Sequence, residues 1–146
     1  MIPATDYKKF LEQMPVVCID AIIMNNKGQY LLIKRKNEPL KGDYWVPGGR
    51  LLKNETLNDA VLRKVKEELG IDSHIVMPIG VYEDFFDKSP LNPENGLHTI
   101  SIVYLIIAGS ENICIDEQSD DWGWFDELPE RLKKMTTFNT LDGLLN

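Results

Sequence analysis

Cysteine is scarce in this chain, with two residues in 146. Cys18 and Cys114 stand far apart in apolar segments with no Cys-x-x-Cys spacing, which argues against a metal or redox pair and reads as two buried reduced thiols. Long apolar runs are also missing. The longest, Ile100 to Ala108, is broken by Ser101 and falls far short of the roughly 20 residues that span a bilayer. The N-terminal stretch MIPATDYKKFLEQ carries charge where a secretory leader needs an apolar segment, so a soluble, cytoplasmic protein with no membrane partner is expected. Positive charge is in deficit: 16 Lys and Arg against 23 Asp and Glu leave a formal charge of -7, a poor match for a nucleic-acid backbone. Repeats, low-complexity tracts and Pro/Gly/Ser linkers are absent, so residues 1–146 read as a single domain.

What is present is globular. The apolar fraction is 43% and the charged fraction 27%, and a chain of this length buries about two-thirds of its unfolded surface without a disulfide or structural metal. Residues 6–13 suggest a short helix. The run VVCIDAIIM, the turn Asn25-Asn26-Lys27-Gly28 and the run QYLLIKRK predict a hairpin. YWVPGG follows as a short strand broken by Pro47 and two glycines. Thr56, with Asp59 three residues on, marks a helix start and Gly70 its stop. Between them Leu57, Val61, Val65 and Leu69 form an apolar stripe, with Arg63, Lys64, Glu67 and Glu68 on the flank. IVMPIGVYEDFF, a loop from Ser89 to Gly96, the strand HTISIVYLIIA, an acidic turn from Asp116 to Asp121, WGWF and a helix after Pro129 complete the chain. Trp122 and Trp124 are both read as core or edge packing, with stacking of one of them on a base or sugar as the alternative. The fold class is α+β, a mixed α/β/α sandwich.

The chemistry concentrates in GRLLKNETLNDAVLRKVKEELGI, Gly49 to Ile71. Glu55 at the loop end and Glu67 and Glu68 late in the helix are placed to converge on one edge. Clustered carboxylates repel unless a divalent cation neutralises them, and oxygen donors favour Mg2+ or Mn2+. Spacing alone leaves an equal alternative: a solvated face with Arg63/Glu67 and Lys64/Glu68 as i,i+4 ion pairs, worth only about 0.2–0.5 kcal/mol each.

The segment resembles the Nudix box, Gly-x5-Glu-x7-Arg-Glu-apolar-x-Glu-Glu-x-Gly-apolar. Gly49, Glu55, Arg63, Val65, Glu67, Glu68, Gly70 and Ile71 match, and Lys64 stands where the pattern has Glu. WVPGG before the box and WFDELP after it are also similar to the family. The resemblance implies a Nudix fold and Mg2+-dependent hydrolysis of a nucleoside diphosphate linked to another moiety. Within the family the chain is most similar to the GDP-mannose mannosyl hydrolase branch, through PVVCIDAII, NNKGQYLLIKRKNEP, GDYWVPGGRLLKNETL and DEQSDDWGW. That branch cleaves at the sugar carbon and releases intact GDP.

Carried onto this chain, the likeness implies that the Gly48 carbonyl, Glu68 and the Gln118 side chain hold Mg2+, with Glu67 as a further box carboxylate. Arg35 and Arg50 would neutralise the departing diphosphate, and Asp20 would support charge on the sugar. Asp20 also lies in an otherwise apolar strand, where a carboxylate needs a partner or a task. Met1, Ile2 and Tyr7 would help form the substrate pocket, in that branch across a homodimer interface. The basic stretch from Lys27 to Lys66, ten Lys and Arg against four acids, is where the likeness places the diphosphate. Ser119 replaces the branch's general-base His, and Asp84 replaces its sugar-binding His. Asp120, Asp121, Glu67 and His98 are the other candidates for a base. GDP-mannose or GDP-glucose hydrolysis at carbon is the favoured expectation. Attack at phosphorus, giving a nucleoside monophosphate and a sugar phosphate, and a catalytically weakened nucleotide-sugar-binding module are the alternatives.

Overall fold

A computed structural model describes residues 2–135 apart from 90, 92, 93 and 95. In chain order the elements are α1 (Ala4–Gln13), β1 (Val16–Met24), β2 (Tyr30–Arg35), β3 (Tyr44–Trp45), β4 (Gly48–Arg50), α2 (Leu57–Leu69), β5 (Ser73–Phe86), β6 (Leu97–Ala108), β7 (Ser119–Phe125) and α3 (Glu130–Met135). The strands form one mixed sheet in the order β3-β2-β1-β6-β5, with β4 added to β1 and β7 to β2. β1 runs parallel to β6 from Val16↔Thr99 to Met24↔Ile107, and the other pairings are antiparallel.

Alternation along β1 divides its side chains between two layers. Ile19, Ala21 and Ile23 pack against Ala60, Val61, Val65 and Leu69 of α2. Ile22 faces the opposite way, with Leu32, Tyr82, Val103, Leu105 and Leu132 of α3. Helices therefore cover both faces, as expected of the α/β/α sandwich. Burial of each such aliphatic side chain stabilises the fold by roughly 1.5–3 kcal/mol. Asp20 shares the parity of Ile22, so its carboxylate lies on the face away from α2.

The expected helix boundaries of the box are realised. Thr56 accepts a hydrogen bond from the Asp59 N–H at 3.1 Å, and Gly70 ends the helix in a left-handed conformation at φ 68°. The Asn25–Gly28 turn also forms, with the Asn25 side chain accepting from the Lys27 and Gln29 N–H groups. The hairpin is slighter than expected. β1 and β2 pair only at Met24↔Tyr30, because β4 is inserted against Cys18–Asp20. Two further expectations are corrected. Cys18 is half-buried and Cys114 exposed, since Ile113 and Ile115 take the inward positions around Cys114. Trp122 and Trp124 share one side of β7, as residues two apart on a strand do, and both pack against the α2 layer, the packing role expected of them. The acidic turn is shorter than read, because β7 begins at Ser119 and carries Asp120 and Asp121 as exposed strand residues. No described helix is long and apolar enough to cross a membrane.

Candidate active site

β4 is the hinge of the site. Its three residues oppose Cys18, Ile19 and Asp20 of β1, with Gly48 against Asp20. The absence of a side chain at Gly48 lets the Asp20 carboxylate lie directly over its Cα, where a Cβ would collide with Oδ1 and with the Ile19 carbonyl. On the α2 side, the Gly48 N–H donates to Oε2 of Glu68 at 2.9 Å. One backbone residue thus separates two buried carboxylates, Asp20 at 8% and Glu68 at 5% exposure.

Both acids are pushed upward by burial. Asp20 titrates at about 6, where desolvation outweighs the hydrogen bonds from Tyr82 and Ser101 and the charge of Arg35. Glu68 is raised to about 7, with Lys64 and the Gly48 N–H opposing burial and Asp116 reinforcing it. The Tyr82 hydroxyl donates to Oδ2 of Asp20 at 2.6 Å.

A cavity of about 140 Å³ opens on the Asp20 face. Cys18, Asp20, Arg35, Gly48 and Gly49 form one side, and Tyr82, Asp84, Thr99 and Ser101 form another, with Trp45, Val46 and Phe86 as apolar wall. Arg35 is fixed by its Nε donating to the Pro39 carbonyl at 2.6 Å. Asp84 is already neutralised: Arg131 of α3 donates to both its oxygens at 2.9 and 2.6 Å, with the guanidinium 4.8 Å from the Phe86 ring centroid. Asp20 is the cavity's carboxylate without a cationic side chain bonded to it.

Tyr82, Thr99, Ser101 and Arg131 were not singled out by sequence reasoning. The signal was present in HTISIVY, where Thr99, Ser101 and Val103 alternate with apolar residues and so share one face.

The remaining expected residues fall into two groups. Arg50 and Tyr7 meet, the guanidinium lying 4.8 Å above the phenol ring. They line a separate apolar groove with Phe10, Met14 and Val17, and are absent from the walls of the Asp20 cavity. Ile2 is exposed, and Met1 lies outside the described residues.

The expected convergence of Glu55, Glu67 and Glu68 is not realised as one cluster. Arg63 donates to both oxygens of Glu55, and Oε2 also accepts the Leu52 N–H. Arg63 reaches Glu67 too, at 3.2 Å, and its bond holds the Glu55 carboxyl below its usual range. Glu67 is half exposed and sits on the outer flank. Both i,i+4 pairs expected of a solvated face are formed, Arg63 with Glu67 and Lys64 with Glu68, although Lys64 and Glu68 are not solvated.

The turn after β6 is tied to the same centre. The Asp116 N–H donates to the Glu68 carbonyl at 3.2 Å, and the Gln118 carbonyl accepts from the Lys36 N–H at 3.2 Å. Ser119 is buried opposite Arg35. Of the other candidate bases, Asp121 accepts from Tyr44 at 2.7 Å, Asp120 pairs with Lys36 and His98 with Glu83. Of the three expected metal donors, Gly48 and Glu68 meet through the Gly48 N–H, while Gln118 is exposed in the turn before β7. Among the described residues no three His, Cys, Asp or Glu side chains gather closely enough for a carboxylate-rich metal cluster.

Comparison with known proteins points one way. The family model described as the NUDIX domain matches residues 14–138. The low-salt glycan biosynthesis protein Agl8 of Haloferax volcanii is 35% identical over 117 residues, 80% of this chain and 74% of that protein. An ADP-ribose pyrophosphatase of Methanocaldococcus jannaschii is 40% identical over 113 residues, 76% of this chain but only 63% of that protein's length. A MutT NUDIX hydrolase of Burkholderia pseudomallei superposes with a TM-score of 0.69 at 34% identity, covering 81% of this chain and 89% of the other.

Proposed function

The chain belongs to the NUDIX domain family, and from that premise we propose that it hydrolyses a nucleoside diphosphate sugar at the sugar carbon, releasing sugar and an intact nucleoside diphosphate. GDP-mannose and GDP-glucose are the favoured substrates. The observation that carries this reading is the placement of Asp20. It is a buried carboxylate on the wall of a cavity shared with Arg35, oriented by Tyr82 and Ser101 and backed by Gly48.

Cleavage at an anomeric carbon builds positive charge on the sugar and negative charge on the departing diphosphate. Ionised Asp20 supplies a fixed negative charge for the first, worth far more in a dry site than in water. Arg35 supplies a fixed positive charge for the second. Arg50 and Tyr7 line the separate groove, and the reading assigns that groove to the part of the substrate lying outside the Asp20 cavity. A divalent ion, Mg2+ or Mn2+, held by Gly48, Glu68 and Gln118 would add Lewis-acid stabilisation of the diphosphate.

The arrangement of the box favours carbon attack. Phosphorus attack needs a base near the diphosphate, yet Lys64 occupies the box Glu position and Glu67 is turned into the Arg63 ion pair. The name of the Methanocaldococcus relative, a pyrophosphatase, supports the alternative of attack at phosphorus. Incubation with a panel of nucleoside diphosphate sugars and Mg2+, read by phosphorus NMR, separates the readings. Nucleoside diphosphate as the only new phosphorus species supports carbon attack. A nucleoside monophosphate with a sugar 1-phosphate supports phosphorus attack, and binding without turnover identifies a binding module.

A further inference from the structure

We infer that Leu40 is a specificity-determining residue that closes the Asp20 cavity behind a single monosaccharide and so limits the length of the glycosyl group this chain accepts. The inference rests on the reading of the cavity as a nucleotide-sugar site and specifies where that site ends.

The loop between β2 and β3 supplies the residue. Its base is closed by the Arg35 N–H donating to the Asp43 carbonyl and the Gly42 N–H donating to the Arg35 carbonyl. The Arg35 side chain pins its middle through the Pro39 carbonyl. In the sheet, β1 and β6 separate β2 from β5. Pro39 and Leu40 nevertheless reach the end of β5, where they line a second cleft, of about 220 Å³, with Phe86, Lys88 and Arg131. The loop therefore crosses one end of the cavity that lies over those strands.

Pro39, Leu40 and Phe86 line both the cavity and the cleft, so these three form the septum between them. Two of them are held from outside: Pro39 by Arg35, and the Phe86 ring by the Arg131 guanidinium 4.8 Å from its centroid. Leu40 is held by its own packing against the layer of Trp45, Val46 and Tyr82. Its backbone sits at φ 62°, a left-handed conformation that glycine adopts freely and leucine does not. A bulky residue kept where glycine would be easier points to a task for its side chain, and the task this position offers is to fill the passage.

The opposite end of the cavity runs toward the nucleotide. Cys18 on the cavity wall is paired with Arg50, which lines the outer groove. Among the described residues that groove and the cleft have no lining residue in common. A substrate with its diphosphate end toward Arg50 and its anomeric carbon at Asp20 therefore turns the far end of its sugar toward Leu40. Beyond Leu40 the cleft carries Glu38, Asp87 and Lys88, a mixed-charge surface able to hydrogen-bond the hydroxyl groups of a second sugar. The Leu40 side chain keeps that second sugar out.

Isothermal titration compares GDP-mannose with GDP-mannose carrying an O-propyl group at C4 or at C6, on the side of the sugar away from the anomeric carbon. All chains titrated carry Asp20→Asn, which removes the charge assigned to turnover and leaves equilibrium binding to be read. With Leu40 in place, both substituted ligands should bind at least roughly tenfold more weakly than GDP-mannose, the scale on which a filled pocket rejects added methylenes. Leu40→Gly, which suits the left-handed backbone, and Leu40→Ala should each bring at least one of them to within about threefold of GDP-mannose. Equal binding of the three ligands with Leu40 in place, a tenfold penalty that persists in the folded variants, or no binding of GDP-mannose would each overturn the inference. Should one variant lose its cooperative thermal melt, the other decides; should both, the penalty measured with Leu40 in place decides. Hydrolysis of GDP-mannose by the wild type with selectivity unmoved by the variants would refute this inference alone. A selectivity change without hydrolysis of any of the ligands by the wild type would refute the functional reading and leave the inference standing.

Discussion

Tyr82 and Asp20 are joined across a strand. The phenol on β5 donates to Oδ2 of Asp20 on β1 at 2.6 Å, with Ser101 on the intervening β6 lying opposite Tyr82. The acid's orientation is therefore set by two strands besides its own, which is what a group acting on a reacting centre requires.

Removing that bond tests its role. Tyr82→Phe keeps the ring and takes away a donor to the charged form, so the Asp20 carboxyl should rise above about 6. The acid limb of the kcat profile should move to higher pH, with kcat near pH 7 falling about tenfold and KM changing little. An unchanged limb would show that Tyr82 only fills space. A loss of about 1–3 kcal/mol in denaturant unfolding is expected as well.

Asp20 also makes a stability claim with a definite sign. Its folded value, about 6, lies above the ordinary 3.8, so the folded chain binds more protons than the unfolded one between those values. Unfolding free energy from this group is greatest below about pH 4 and declines as pH rises through 6. Asp20→Asn should flatten that decline in metal-free protein. Urea melts at pH 5 and pH 8 check it, and an equal pH slope in both proteins would refute the assignment.

Gly48 tolerates no side chain on steric grounds. In Gly48→Ala the new Cβ meets Asp20 Oδ1 and the Ile19 carbonyl, and any shift of β4 disturbs the N–H bond to Glu68. A loss of about 1–3 kcal/mol is expected, with turnover falling at least roughly a hundredfold from misplacement of Asp20. Thermal melting and steady-state rates measure both.

Arg131 ties α3 to the cavity wall. Arg131→Ala leaves Asp84, 7% exposed, without its partner, so a loss of about 2–4 kcal/mol is expected. The double variant with Asp84→Asn should be less destabilised than the sum of the two single variants. Strict additivity in the cycle would mean that the pair contributes nothing.

The box was the most legible part of the sequence because its signals are local. Thr56, the Leu57-Val61-Val65-Leu69 stripe and Gly70 each act within a few residues, and the helix forms as expected. The glycines before it could be read as a broken strand, but not as the contact point of Asp20 and Glu68, since that depends on β4 pairing with β1. The cavity wall was less legible still. Tyr82, Asp84 and Arg131 come from β5 and α3, and only the β1-β6-β5 order brings them to the face that carries Asp20. Glu55 and Glu67 show the complementary failure, where spacing suggested convergence and Arg63 draws both away from Glu68.

Isotope transfer from solvent tests the central claim most directly. Turnover of GDP-mannose in water enriched in oxygen-18, with products resolved by mass spectrometry, reports which atom the water attacks. Attack at the sugar carbon with Asp20 in attendance predicts the label in mannose and none in GDP. Label in a phosphate oxygen, with GMP and mannose 1-phosphate as products, would contradict it.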